Sequence, residues 1–133
     1  MSEEKLKIIE AAYEAVRQRR VAEWAHGAVP PELEWHPAPE SPDYEVRHGP
    51  QGVSEFFDQI LEDAIVWEPR ITGVTQAGAD TYVIAAEATA ESRHGLSGEF
   101  RFSQGWDFDG DRPIRVREFL QHPHALEAAG LSE

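Results

Sequence analysis

Tyr13 and His36 are the residues of this chain best placed to handle an oxygen or a proton. Tyr13 falls on an apolar stripe with Leu6, Ile9 and Val16, at helical spacing. Its phenol either reaches a pocket and donates to a substrate oxygen, or serves the core with its hydroxyl on a backbone carbonyl. His36 stands beside Trp35 on a short apolar stretch, just before Pro37. An imidazole there is either a general base or donor near neutral pH, or a surface group at the mouth of a proline-rich loop. Two amides either bond the backbone or face a wet pocket, where they would add binding capacity. Gln104 shares a face with Phe100, Phe102, Trp106 and Phe108, where an unpartnered amide is costly. Gln121 follows Arg117 and Phe119 in alternation, against Val116, Glu118 and Leu120. Counting by twos puts Arg117, Phe119 and Gln121 on the face of Gln104 and Trp106. An inward Arg117 needs a carboxylate, from Glu14, Glu87 or a ligand; otherwise strand twist returns it to solvent. Trp35, Trp106 and Phe119 supply flat apolar walls that suit a small ring-shaped ligand.

The elements that hold these residues follow from periodicity. Residues 2–26 predict a helix with Ser2 as N-cap, the last turn being separable as a second short helix. Arg17, Arg19 and Arg20 read there as a solvated helix end. Residues 32–36 predict a short strand, and Pro37, Pro39 and Pro42 make it an edge or a loop entry. Residues 50–64 predict a helix with Val53, Phe56, Phe57, Ile60, Leu61 and Ala64 on one face. From Trp67 the period changes to two, giving strands near 67–76, 80–92, 96–109 and 113–121 with short turns between them. Pro123 opens a last helix that Gly130 ends. Helices followed by an antiparallel meander predict one α+β domain over residues 1–133. A curled sheet over two helices leaves a cavity between them. Val116 and Leu120 on the opposite face predict a surface that a second copy covers, hence a homodimer.

Composition excludes several classes. Twelve Lys+Arg against 25 Asp+Glu give a net charge of −13, which repels nucleic acid. The chain has no Cys, so disulfides and thiolate chemistry are excluded. No Gly-rich phosphate loop appears, so no nucleotide cofactor is expected. His122-Pro-His124 lacks companion ligands, and the Asp107, Asp109, Asp111 alternation lacks the closing Glu of a calcium loop, so no metal is expected. No apolar run approaches a membrane span, and residues 1–7 are charged rather than signal-like, so the expected place is the cytoplasm.

Four stretches carry a family resemblance. They are Ala12-Tyr13-Glu14-Ala15, Arg47-His48-Gly49-Pro50-Gln51-Gly52-Val53 leading into Phe56-Phe57, Gly105-Trp106-Asp107-Phe108-Asp109-Gly110, and Ala125-Leu126-Glu127-Ala128-Ala129-Gly130-Leu131. In this order they resemble the SnoaL-like branch of the nuclear transport factor 2 (NTF2) superfamily, which includes polyketide cyclases and, more distantly, ketosteroid isomerases. The resemblance implies a cone-shaped barrel, a deep apolar pocket and commonly a homodimer. It implies cofactor-free acid/base chemistry on an apolar carbonyl compound, or else a non-catalytic binding or dimerisation module. Aligned on the Ala-Leu tail, Gln121 stands where cyclases carry an Asp, and an amide cannot act as a general base. Aligned with the isomerases, Tyr13 matches an enolate-stabilising Tyr, and His36 falls near the proton-moving carboxylate.

Overall fold

The computed structural model describes residues 2–41 and 44–131; Pro42, part of the expected proline-rich excursion, lies outside them. The N-terminal stripe folds as two helices, α1 (Glu3–Arg17) and α2 (Val21–Ala28). Ser2 caps the first, its hydroxyl accepting from the Lys5 amide at 3.3 Å. The break is at Arg19, whose φ of 57° is left-handed backbone unfavourable for a side chain. What holds it there is its own guanidinium, which donates to the carbonyls of Leu61, Ala64 and Ile65. Arg17 likewise donates to Pro69 O at 2.7 Å. These two arginines are therefore clasps across the fold rather than a solvated helix end. Arg19→Ala removes the clasp and keeps the strain, whereas Arg19→Gly removes both. The Gly variant should be the more stable by about 1 kcal/mol in chemical denaturation; equal stabilities would show that the backbone there is unstrained.

Next come β1 (Glu34–His36), β2 (Arg47–His48), α3 (Gly49–Asp63), β3 (Ala64–Gln76), β4 (Thr81–Ser92), β5 (Ser97–Asp109), β6 (Arg112–Phe119) and α4 (His122–Ala128). The short β2 was not foreseen. The six strands of the described residues form one open sheet in the order β2-β1-β6-β5-β4-β3. All neighbours are antiparallel except β1 and β6, which run parallel with Trp35 opposite Val116. The result is an α+β fold with α1, α2 and α3 on the concave face. There Ile9, Val53, Tyr82, Ile84 and Val116 are fully buried in the core.

Two expectations about faces are corrected. Val116 points into the core and Leu120 sits at the rim of a cavity, so neither marks an apolar outer face. The outer face is instead partly covered by α4, which buries Ala125 over β4, β5 and β6. Ser103 of β5 shares a 2.7 Å hydrogen bond with His122 Nδ1 on that side.

The second correction concerns β6. Near the turn Asp109 pairs with Arg112 and Phe108 with Pro113, but Asp107 then pairs with Arg115. Ile114 has no partner on β5, so β6 is bulged there. Beyond the bulge Gln104 lies opposite Glu118, and Arg117 lies opposite Gly105. Simple alternation from the turn would have paired Gln104 with Arg117. One extra residue thus sends Glu118 inward and Arg117 outward. Arg117 finds its carboxylate in Asp107, 3.6 Å away, and donates to Ala128 O at 3.4 Å.

Candidate functional site

Between the concave face and the helices lies a cavity of about 200 Å³. Its walls are almost wholly apolar. Trp24 and Phe56 come from α2 and α3, Trp67 from β3, and Phe102 and Trp106 from β5. Ala38 and Ser41 of the proline-rich excursion, with Leu120, lie along it too. Trp35 stands between Phe57 and Trp106, with ring centroids at 5.3 and 6.0 Å and near-perpendicular planes.

The polar exception is a chain of hydrogen bonds along one wall. Tyr13 donates its hydroxyl proton to Gln104 Oε1 at 2.7 Å. Trp106 Nε1 donates to the same oxygen at 2.9 Å. Gln104 Nε2 in turn donates to Glu118 Oε2 at 2.9 Å. An indole N–H can only donate, so the amide oxygen must face Trp106 and the NH₂ must face Glu118. The amide orientation is therefore dictated by chemistry. It answers the question left open for Gln104, whose partners are side chains and not the backbone.

Glu118 is the consequential member. The residue is half-buried and lines the cavity wall. Burial pushes its pKa from an ordinary 4.5 up to about 7, against the smaller stabilising pull of Gln104 and Trp35. The Trp35 indole N–H is near enough to exert that pull, yet it forms no hydrogen bond of normal geometry. Only Oε2 of Glu118 has a protein donor among the described residues. A lone carboxyl that is half-ionised near neutrality at the wall of an apolar cavity is suited to proton transfer. Tyr13 is pushed well above its ordinary pKa by burial and then by the Glu118 charge, so it stays a neutral phenol.

No protein-family model matches the chain, and no curated protein sequence does either. Solved structures do. An NTF2-like protein of unknown function from Burkholderia pseudomallei superposes with TM-score 0.76 at 16% identity, over 96% of this chain and 97% of that one. A protein described as a SnoaL-like polyketide cyclase from Jannaschia sp. gives TM-score 0.74 at 13% identity, over 90% and 88%. A Mycobacterium tuberculosis protein in complex with estradiol-17beta-hemisuccinate gives 0.73 at 14%, over 89% and 94%. The chain has the NTF2-like fold. Identities this low carry the architecture and leave the reaction to be argued from the site.

Within this NTF2-like fold, Tyr13, Trp35, Gln104, Trp106 and Phe119 meet at the cavity. His36, Arg117 and Gln121 do not. His36 neighbours Trp35 on β1 and so points to the other face, where Glu34 Oε1 lies 2.9 Å from its Nε2. That bond lowers the pKa of the Glu34 carboxyl. Gln121 is exposed at the N-cap of α4 and makes no capping bond. Glu118 was missed because the bulge reversed its face. The available signal was Pro113: a proline cannot donate to a ladder, and within a sheet it marks an edge or a bulge. Among the described residues, no group of three or more potential metal ligands comes together. No helix among the described residues is long and apolar enough to cross a membrane.

Proposed function

We propose that the chain is a cofactor-independent acid/base catalyst acting on a small apolar compound that contains a carbonyl group. Glu118 takes and returns the proton, and Gln104 holds its carboxylate in place. The observation that carries this reading is the Glu118 carboxyl, the one carboxyl on the mainly apolar cavity wall among the described residues, with one oxygen pinned and its pKa about 7. Tyr13 and Trp35 border the substrate. In this reading the base role expected of His36 passes to Glu118, because His36 is off the cavity. Known structures of the same fold, one of them in complex with a steroid ester, support a small-molecule ligand.

One observation favours a second reading, a non-catalytic binding module. The Tyr13 proton is already committed to Gln104, so it is not free to stabilise an enolate. We place the protein in the cytoplasm, as a homodimer. The support for the dimer is that α4 leaves open the part of the outer sheet carrying the Arg70, Glu87, Glu99 and Arg101 ion pairs.

A thermal-shift screen of aromatic polyketides and steroid ketones should yield a binder. In D₂O the wild type should then exchange the hydrogens next to its carbonyl. Glu118→Gln should exchange about 10²–10⁴ times more slowly while keeping the thermal shift. Equal exchange in both proteins would exclude Glu118 as the base, and binding without exchange in either would establish the non-catalytic reading.

A further inference from the structure

The hydrogen-bond chain along the wall has a direction, and the direction limits what a ligand can offer. Trp106 fixes Gln104 Oε1 as the acceptor, so the Tyr13 hydroxyl meeting that oxygen must donate. What Tyr13 then has left is lone pairs. Glu118 Oε2 is taken by Gln104 Nε2, and as carboxylate its Oε1 is an acceptor also. The Trp35 N–H, the obvious candidate for a donor, is itself inaccessible at its nitrogen. The polar wall is therefore arranged to receive hydrogen bonds.

Building on the small-molecule reading above, we infer that the ligand of this cavity is a hydrogen-bond donor: an apolar ring compound bearing a hydroxyl, as a phenol or as the enol of a ketone, which donates to Glu118 Oε1. Gln104 is then a positioning residue, since it keeps Oε1 free by holding Oε2. A simple ether offers the wall an oxygen where the wall already has oxygens and forms no hydrogen bond with it, whereas a carbonyl compound can donate once it is in its enol form.

The inference carries its own pH signature. Protonated, Glu118 becomes a donor at Oε1, and the preference for a donating ligand falls away. Tyr13 from α1 is the other titratable group on the cavity wall; α2, α3, β1, β3 and β5 contribute no charged side chain to it among the described residues. Tyr13 stays neutral through this range because burial and the Glu118 charge raise its pKa. Glu118 is thus the group that titrates.

Two probes of the same ring system separate the cases: 2-naphthol, which can donate, and 2-methoxynaphthalene, which can only accept. Affinities measured by calorimetry well above pH 7 should favour 2-naphthol by about tenfold, the worth of one charge-assisted hydrogen bond. Well below pH 7 the preference should shrink to about twofold or reverse. In Glu118→Leu it should be absent at every pH, while 2-methoxynaphthalene binds at least as well as to the wild type. Equal affinities in the wild type above pH 7, or a preference that survives in Glu118→Leu, would overturn the inference and leave ligand binding standing. If neither probe binds, the small-molecule reading fails and the inference fails with it. The wild-type pH series needs no variant, so the test holds even if Glu118→Leu does not fold.

Discussion

Replacing Glu118 by Gln should make this protein more stable at pH 8 and leave it unchanged at pH 4. The reason is linkage. The folded-state pKa of Glu118 is about 7, above its ordinary 4.5, so folding favours the protonated form. That favourable contribution is complete below the unfolded pKa. It is lost as pH rises towards 7, and above 7 the folded state holds a buried carboxylate at a cost of at most about 3 kcal/mol. A Gln side chain has nearly the same volume, and its carbonyl oxygen can still accept from Gln104 Nε2. The variant therefore avoids the cost of the charge. Urea denaturation of both proteins across this pH range should give a stability difference that opens between pH 4.5 and 7 and is level beyond. Subtracting the two curves removes the opposite trend from Glu14, Glu32 and Glu99, whose pKa values are lowered chiefly by hydrogen bonds from Arg17, Arg112 and Arg70. Parallel curves would mean that Glu118 titrates normally, and the acid/base reading would lose its basis. The same substitution that raises stability is the one expected to end proton transfer, the usual relation between a strained functional group and its fold.

The second large effect is expected at Gln104. Gln104→Leu leaves three groups without their partner at once: the Tyr13 hydroxyl, the Trp106 N–H and Glu118 Oε2. Each buried polar group left unpaired costs about 1–3 kcal/mol. Part of this is relieved where a group can turn to the cavity, so a total near 3 kcal/mol is expected. The diagnostic is non-additivity. Tyr13→Phe should cost about 1 kcal/mol in the wild type. In the Gln104→Leu background it should cost nothing or add stability, because it then removes an unsatisfied hydroxyl. Additive costs would show that Tyr13 and Gln104 do not depend on each other.

The legible part of the molecule was the part governed by local periodicity. Val53, Phe56, Phe57 and Ile60 announced α3, and the Phe100 to Phe108 alternation announced both β5 and its inward face. Tyr13, Trp35, Gln104 and Trp106 reached the cavity because each lies on an element whose face follows from its own sequence. What failed was long-range. The parallel pairing of β1 with β6 brings together residues some 80 positions apart, and nothing local records it. The face of β6 depends on Ile114, one residue without a partner, which moves every later side chain to the opposite side. That single step exchanged Arg117 for Glu118 and hid the acidic centre of the site. The Arg19 clasp was invisible for a related reason, since its carbonyl acceptors come from a segment about 45 residues away.

The clasp has a bearing on how molecules of this protein meet one another. A sheet that stops at an uncovered strand can template the next chain, and β3 is such a terminal strand, thirteen residues long. Three of its carbonyls, those of Ala64, Ile65 and Pro69, are already occupied by guanidinium groups, and Pro69 has no amide hydrogen to offer. At the far end β2 has only two residues. The first half of β3 and the two-residue β2 are therefore poor templates for a further strand.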